Sequence, residues 1–141
     1  MAEPAAHHVG ITVSDLDRAV AFYREVLGLD VLTRFSVGGD AFARGVDVDG
    51  ASGDFAHLDG GGVRIELVAY EPTDETQSES ETHLNAQGAT HVGLSVDDVA
   101  EFYAELPERV ETLSEPQTTE SGTTIFFLED PEGNLIEILS T

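Results

Sequence analysis

The sequence predicts an α+β fold of two tandem modules, each with one strand, one helix and then about three strands. Three observations support this prediction. The stretch HVGITV near the start recurs as HVGLSV near the middle. The segment DGGGVRIELV (59–68) aligns without a gap with DPEGNLIEIL (130–139), which places Phe55 opposite Phe126. Apolar residues alternate in the strand segments and recur at helical spacing in the helix segments.

The duplication divides the chain into three parts. Module one covers about 7–70, a linker covers about 71–90 and module two covers about 91–141, all within a single domain of 141 residues (1–141). The linker is polar and has almost no large apolar side chains, which is typical of a flexible loop. A chain of this length is expected to form one domain with a substantial core.

Module one opens with a strand in which His8 lies on the face opposite to Val9 and Ile11. An amphipathic helix follows, which Ser14 can cap and which Gly28 can end. The apolar positions of this helix are Leu16, Val20, Tyr23 and Leu27. Short strands are then predicted around 31–35, 41–48, 54–58 and 63–69.

Module two repeats this order. Its opening strand places His91 on the face opposite to Val92 and Leu94. The helix that follows is shorter and stops before Pro107. Its apolar positions are Val99, Phe102, Tyr103 and Leu106. Strands are predicted around 110–114, 123–129 and 134–139.

The closing strand of each module separates a glutamate from its apolar neighbours. Glu66 lies on the face opposite to Ile65 and Leu67, and Glu137 has the same position in module two. Each module therefore directs one histidine and one glutamate away from its helix. Two imidazoles and two carboxylates together form a mixed nitrogen and oxygen ligand set. Such a set suits a borderline divalent ion such as Ni²⁺, Zn²⁺, Mn²⁺, Co²⁺ or Fe²⁺.

Each of these residue types also has ordinary structural roles. A single histidine on a strand is more often structural than a ligand, and a single glutamate is often solvated or paired with an arginine such as Arg64. The repetition of both types at matching positions favours a metal site. His7 precedes the strand, and in the alternation it falls on the face opposite to His8, so it is not expected to be a ligand. His57 and His83 have no repeat partner and are predicted to be surface or loop residues.

The charge balance excludes several classes of partner. The chain has 28 acidic residues and only six basic ones, for a net charge of −22. This charge repels nucleic acid and anionic membranes, and the composition is typical of proteins from salt-loving cells. There is no apolar run of about 18 residues and no signal-peptide pattern, so a cytoplasmic location is predicted. The lack of cysteine excludes a disulfide framework and a thiolate nucleophile.

Taken together, these motifs resemble the vicinal oxygen chelate superfamily. The similar segments are HVGITVSDLDRAVAFYREVLGL, RIELV, HVGLSVDD and SGTTIFFLEDPEGNLIEIL, and the likeness covers essentially the whole chain except 72–88. The superfamily includes glyoxalase I, methylmalonyl-CoA epimerase, extradiol dioxygenases and bleomycin resistance proteins. The resemblance implies that paired βαβββ modules form a curved, partly open mixed sheet around a metal-binding cavity.

The resemblance also implies a ligand set. The four ligand positions of the family correspond to His8, Glu66, His91 and Glu137. This set is most similar to that of bacterial glyoxalase I and implies one Ni²⁺ or Co²⁺ per site, with Zn²⁺, Mn²⁺ or Fe²⁺ as alternatives. Glutathione-dependent glyoxalases carry an arginine four residues after the first ligand histidine. The residue at that position is Thr12, which argues against a glutathione-sized anion as substrate.

The function implied by the resemblance is that of a lyase or isomerase acting on a small molecule with adjacent oxygens. The metal would stabilise an enediolate, with Glu137 as the base and Glu66 able to share this role. Relatives of this size imply a homodimer. Two alternatives remain open. One is an extradiol-type dioxygenase, which needs iron, and the other is a non-catalytic protein that binds a small molecule such as an antibiotic.

Overall fold

The computed structural model describes residues 2–74 and 83–141. The chain divides into two compact units, Met1–Gln77 and Ser78–Thr141. Part of the predicted linker, 75–82, lies outside the described residues. Within the described part of the chain, no helix is long and apolar enough to cross a membrane.

The first unit has a four-stranded mixed sheet. Its elements in chain order are β1 (His8–Thr12), α1 (Leu16–Glu25), β2 (Val31–Val37), α2 (Asp40–Val46), β3 (Ser52–Asp59) and β4 (Arg64–Glu71). The strand order is β1-β4-β3-β2. Strand β1 is parallel to β4, and the other two pairings are antiparallel. This order brings the first and last strands of the unit together.

The described residues of the second unit include no counterpart of α2, but the unit has the same strand topology with shorter elements. These are β5 (Val92–Ser95), α3 (Val99–Ala104), β6 (Gln117–Thr118), β7 (Thr124–Glu129) and β8 (Leu135–Ser140). The strand order is β5-β8-β7-β6, and again the first and last strands are parallel. The predicted α+β fold with two tandem βαβββ modules is therefore confirmed.

In each unit, one face of the sheet packs against the helix. Helix α1 lies against β3 and β4, where Ile65 and Leu67 are almost completely buried. In the second unit, the ring of Phe126 lies 5.2 Å from that of Tyr103 and 6.4 Å from that of Phe102 on α3, measured between centroids. Burial of these apolar groups drives the packing. The opposite face of each sheet carries the paired histidine and glutamate together with aromatic side chains.

Three local predictions were wrong. Residues 41–48, predicted as a strand, mostly form α2, because Phe42 and Val46 are spaced by four residues and suit a helix as well as a strand. Residues 110–114 contribute only an isolated bridge, and the fourth strand is the short β6. The N-cap of α1 is Asp15 rather than Ser14, since the Asp15 carboxylate accepts a hydrogen bond from the Arg18 amide at 3.1 Å.

The two hairpins that close the units also differ in length. The connection between β3 and β4 covers 60–63, whereas that between β7 and β8 covers 130–134 and is one residue longer. The alignment of Phe55 with Phe126 is wrong for this reason. Ala56 pairs with Leu67 as Phe126 pairs with Ile138, so Ala56 is the residue equivalent to Phe126.

Candidate metal centre

His8 and Glu66 lie side by side on the parallel strands β1 and β4. Gly10 pairs with Glu66 in this ladder, so His8, two residues earlier, points to the same side of the sheet. The His8 Nε2 atom lies 3.6 Å from Glu66 Oε1. The His8 side chain is 38% exposed and that of Glu66 is 14% exposed. The two donor atoms are thus held by the sheet while the histidine remains accessible.

The second unit repeats this arrangement. Gly93 pairs with Glu137 across β5 and β8, and His91 immediately precedes β5. The His91 Nε2 atom lies 3.3 Å from Glu137 Oε1, and the side chains are 39% and 20% exposed. The side of each sheet that carries its His–Glu pair is termed the ligand face.

A glycine lies next to each carboxylate. A Cβ atom added at Gly10 would lie 3.7 Å from Glu66 Oε1, and one added at Gly93 would lie 3.7 Å from Glu137 Oε1. An alanine would therefore make ordinary contact, but a larger side chain would extend over the carboxylate. The two glycines leave space beside the donor atoms.

The donor atoms of each pair suit a divalent ion such as Ni²⁺, Co²⁺ or Zn²⁺, which binds imidazole nitrogen and carboxylate oxygen. Among residues 2–74 and 83–141, no three or more histidine, aspartate or glutamate side chains are grouped so as to hold a metal ion. Each pair therefore supplies two donors, half of the expected set of four. The chemistry of the donors fits the expected ion.

His57 is a site residue that the sequence analysis missed. It was predicted to be a surface or loop residue, but it lies on β3 and is only 6% exposed. It pairs with Glu66 in the antiparallel ladder, and its Nε2 atom lies 2.7 Å from Glu66 Oε2. The Nη1 atom of Arg64 lies 3.3 Å from His57 Nδ1. The missed signal was the short glycine-rich connection, which brings His57 opposite Glu66.

The other two histidines lie outside the pairs. His7 precedes β1, and its Nδ1 atom lies 2.8 Å from His8 Nδ1, so the His8 Nε2 atom is left on the Glu66 side. His83 is exposed in a loop, as predicted.

Aromatic rings extend the ligand face of the first sheet beyond His57. Phe35 and Phe55 stack with their ring centroids 5.1 Å apart. Phe35 and His57 form an edge-to-face pair with their ring centroids 5.2 Å apart. Phe42 of α2 and Tyr70 of β4 continue the group, with centroids 6.2 Å apart. The polar pair therefore borders an apolar, aromatic surface.

Comparison with known proteins agrees with this architecture. The family model described as Glyoxalase/Bleomycin resistance protein/Dioxygenase superfamily matches residues 5–138. A 2-epi-5-epi-valiolone epimerase from Actinomyces sp. is 34% identical over 84% of this chain and 67% of its own length. A lactoylglutathione lyase from Salmonella typhimurium is 33% identical over 94% of this chain and 89% of its own length.

Solved structures show the same fold. A glyoxalase family protein from Bacillus cereus superposes with a TM-score of 0.82 at 26% identity, covering 99% of this chain and 97% of the other. The trypanothione-dependent glyoxalase I of Leishmania major gives a TM-score of 0.65 at 26% identity, covering 98% and 87%. The chain belongs to the glyoxalase/bleomycin resistance protein/dioxygenase superfamily.

Proposed function

We propose that the protein is a divalent-metal-dependent lyase or isomerase of the glyoxalase kind. It acts on a small molecule with adjacent oxygens and moves a proton through an enediolate. The observation that carries the proposal is the repeated His–Glu pair, with nitrogen–oxygen distances of 3.6 Å in the first unit and 3.3 Å in the second. Relatives named as a lactoylglutathione lyase and as an epimerase support an enzymatic role.

The proposed metal ligands are His8, Glu66, His91 and Glu137. A divalent cation held by these residues would supply Lewis-acid chemistry, polarising a substrate carbonyl and favouring proton loss from the adjacent carbon. Glu137 accepts this proton as the C–H bond breaks and then donates it to the neighbouring carbon. The hydroxyl proton passes to the former carbonyl oxygen, so the product is an isomer of the substrate and no oxidant or reductant is required.

The proposed substrate carries little negative charge. The net charge of −22 repels anions, and Thr12 stands where glutathione-dependent relatives have an arginine. Thr12 ends β1, two residues after Gly10, and so lies on the ligand face of the first sheet. A neutral hydroxyketone, or a thiohemiacetal of a small thiol, fits these features better than an anionic tripeptide conjugate does.

Metal content tests the ligand assignment. The protein is purified in molar salt, incubated with Ni²⁺, Co²⁺, Zn²⁺, Mn²⁺ or Fe²⁺, and assayed by elemental analysis. We expect one ion per site, favouring Ni²⁺ or Co²⁺, which is lost in His8→Ala and in His91→Ala. The control is His83→Ala, because His83 is exposed in a loop. A wild-type protein that binds none of the five ions would refute the proposal.

Proton exchange tests the chemistry. In D₂O, the metal-loaded protein should replace the hydrogen next to the carbonyl of its substrate with deuterium, which proton NMR of a panel of hydroxyketones and thiohemiacetals detects. Glu137→Gln should retain the metal but lose the exchange. Oxygen consumption with catechols on Fe²⁺ would indicate the dioxygenase alternative. Ligand binding without exchange would indicate a binding protein.

The proposed assembly is a homodimer, and mixing variants shows how it supplies the ligands. If each site takes ligands from two chains, a mixture of His8→Ala and His91→Ala regains one intact site per mixed dimer. If each site takes its ligands from one chain, mixing restores nothing. Metal content after co-refolding distinguishes the two cases.

A further inference from the structure

We propose that His57, oriented by Arg64, is a positioning residue that holds Glu66 as a fixed metal ligand. The proposal rests on the function proposed above and assigns different roles to the two glutamates. Glu66 would remain a ligand throughout the reaction, and Glu137 would be free to move and to carry the proton.

The two oxygens of Glu66 have different neighbours. Oε1 lies 3.6 Å from Nε2 of His8, the proposed partner ligand, and Oε2 lies 2.7 Å from His57 Nε2. A hydrogen bond to one carboxylate oxygen restricts rotation of the whole group and so directs the other oxygen. His57 is buried, so water competes little for this bond.

Arg64 determines which nitrogen of His57 donates. A guanidinium has only donor groups, so the contact of 3.3 Å between Arg64 Nη1 and His57 Nδ1 requires Nδ1 to accept. The ring proton is then on Nε2, where it points to Glu66 Oε2. The bond to the ionised carboxylate is charge-assisted and therefore stronger than a neutral one.

The described residues of the second unit include no equivalent of the His57 and Arg64 contacts. Phe127 pairs with Glu137 as His57 pairs with Glu66, and the hairpin pairing places Leu135 where the first unit has Arg64. Neither side chain can donate a hydrogen bond. Phe127 instead packs against the His91 ring, with centroids 5.1 Å apart. Within the described part of the chain, His91 is the only side chain that makes a polar contact with Glu137.

The same sheet position thus restrains one glutamate and leaves the other less restrained. A residue that hydrogen-bonds to a metal ligand without binding the metal itself typically raises metal affinity by about tenfold to a hundredfold. Two substitutions test this difference directly. His57→Phe and Arg64→Leu place in the first unit the residues that the second unit has at the equivalent positions. His57→Gln keeps a donor amide in place of Nε2.

Cobalt titration of the full-length protein tests the proposal, with affinity and the visible absorption spectrum of bound Co²⁺ as readouts. We expect His57→Phe to weaken Co²⁺ binding by about tenfold to a hundredfold and to change the spectrum. His57→Gln should restore both, and Arg64→Leu should give an intermediate loss. Urea unfolding of each metal-free variant verifies that the fold is retained.

The possible failures are distinct. A wild-type affinity and spectrum in His57→Phe, or an equal loss in His57→Phe and His57→Gln, would overturn the positioning role while the metal site stands. A wild-type result in Arg64→Leu would overturn the orientation by Arg64. If the wild-type protein binds no Co²⁺, or if His8→Ala binds it unchanged, the proposed function itself fails. In that case, metal-free ¹⁵N NMR still tests whether the His57 proton is on Nε2 and moves in Arg64→Leu.

Discussion

Glu66 and Glu137 show how neighbours differentiate two residues of the same type. Both follow an apolar residue in the last strand of a unit, and both lie beside a histidine. Glu66 also lies within hydrogen-bonding distance of His57 through its other oxygen, and no residue in 2–74 or 83–141 makes the equivalent contact to Glu137. Alternation along the strand predicts the side of the sheet on which each carboxylate lies. The partner of each carboxylate depends on the neighbouring strand, which alternation does not specify.

The space beside each carboxylate leads to a prediction at Gly10. Gly10→Ala should keep metal affinity, because a Cβ there lies 3.7 Å from Glu66 Oε1. Gly10→Val should weaken metal binding, because its methyl groups would extend over the carboxylate. Valine also suits a strand, so unfolding in urea should show no loss of stability. Equal Co²⁺ affinity in the valine and alanine variants would contradict the prediction.

Among the elements, the two closing hairpins differ most in their connections. Asp130 is 4% exposed, and its Oδ1 accepts hydrogen bonds from the amides of Glu132 and Asn134, both at 2.9 Å. Its Oδ2 accepts one from the Asn134 side chain. Asp59, at the first hairpin, is exposed and accepts a bond from the Gly61 amide. The second connection is therefore organised around a buried carboxylate.

These contacts predict unequal effects of the same substitution. Asp130→Ala should lower the free energy of unfolding by about 2–4 kcal/mol, because it removes three hydrogen bonds made by a buried carboxylate and leaves two half-buried amides without this acceptor. Asp59→Ala should cost less than about 1 kcal/mol, because water can replace the lost bond. Urea denaturation of the two metal-free variants measures both values. A loss in Asp59→Ala as large as in Asp130→Ala would refute this account.

The hairpins also limit what a sequence repeat can predict. The strand positions in 54–58 and 123–129 were predicted correctly, but the gap-free alignment paired Phe55 with Phe126. One extra residue in 130–134 moves this pairing by one position and changes which residue faces each glutamate. His57 was predicted to be a surface or loop residue because it has no repeat partner, and its position opposite Glu66 follows only from the pairing of β3 with β4. The strand predicted at 41–48 was wrong for a different reason, because a short apolar segment fits both helical and strand periodicity.

At the scale of the whole molecule, the charge of −22 leads to a prediction on salt. The Debye length falls from about 10 Å at 0.1 M salt to about 3 Å at 1 M. Repulsion between carboxylates should weaken accordingly, so the Tm should rise with KCl and most of the rise should occur below 1 M. Calorimetry of the metal-free protein measures this. A Tm that is constant or falls with KCl would contradict the prediction.

The sequence by itself determined the duplicated βαβββ topology, the helix-facing core and the side of the sheet on which both His–Glu pairs lie. These features follow from periodicity along a single segment, which is a local property. Only the tertiary structure decided that His57 faces Glu66 while Phe127 faces Glu137. Such contacts depend on how two strands pair across a connection, and there one added residue changes every facing pair.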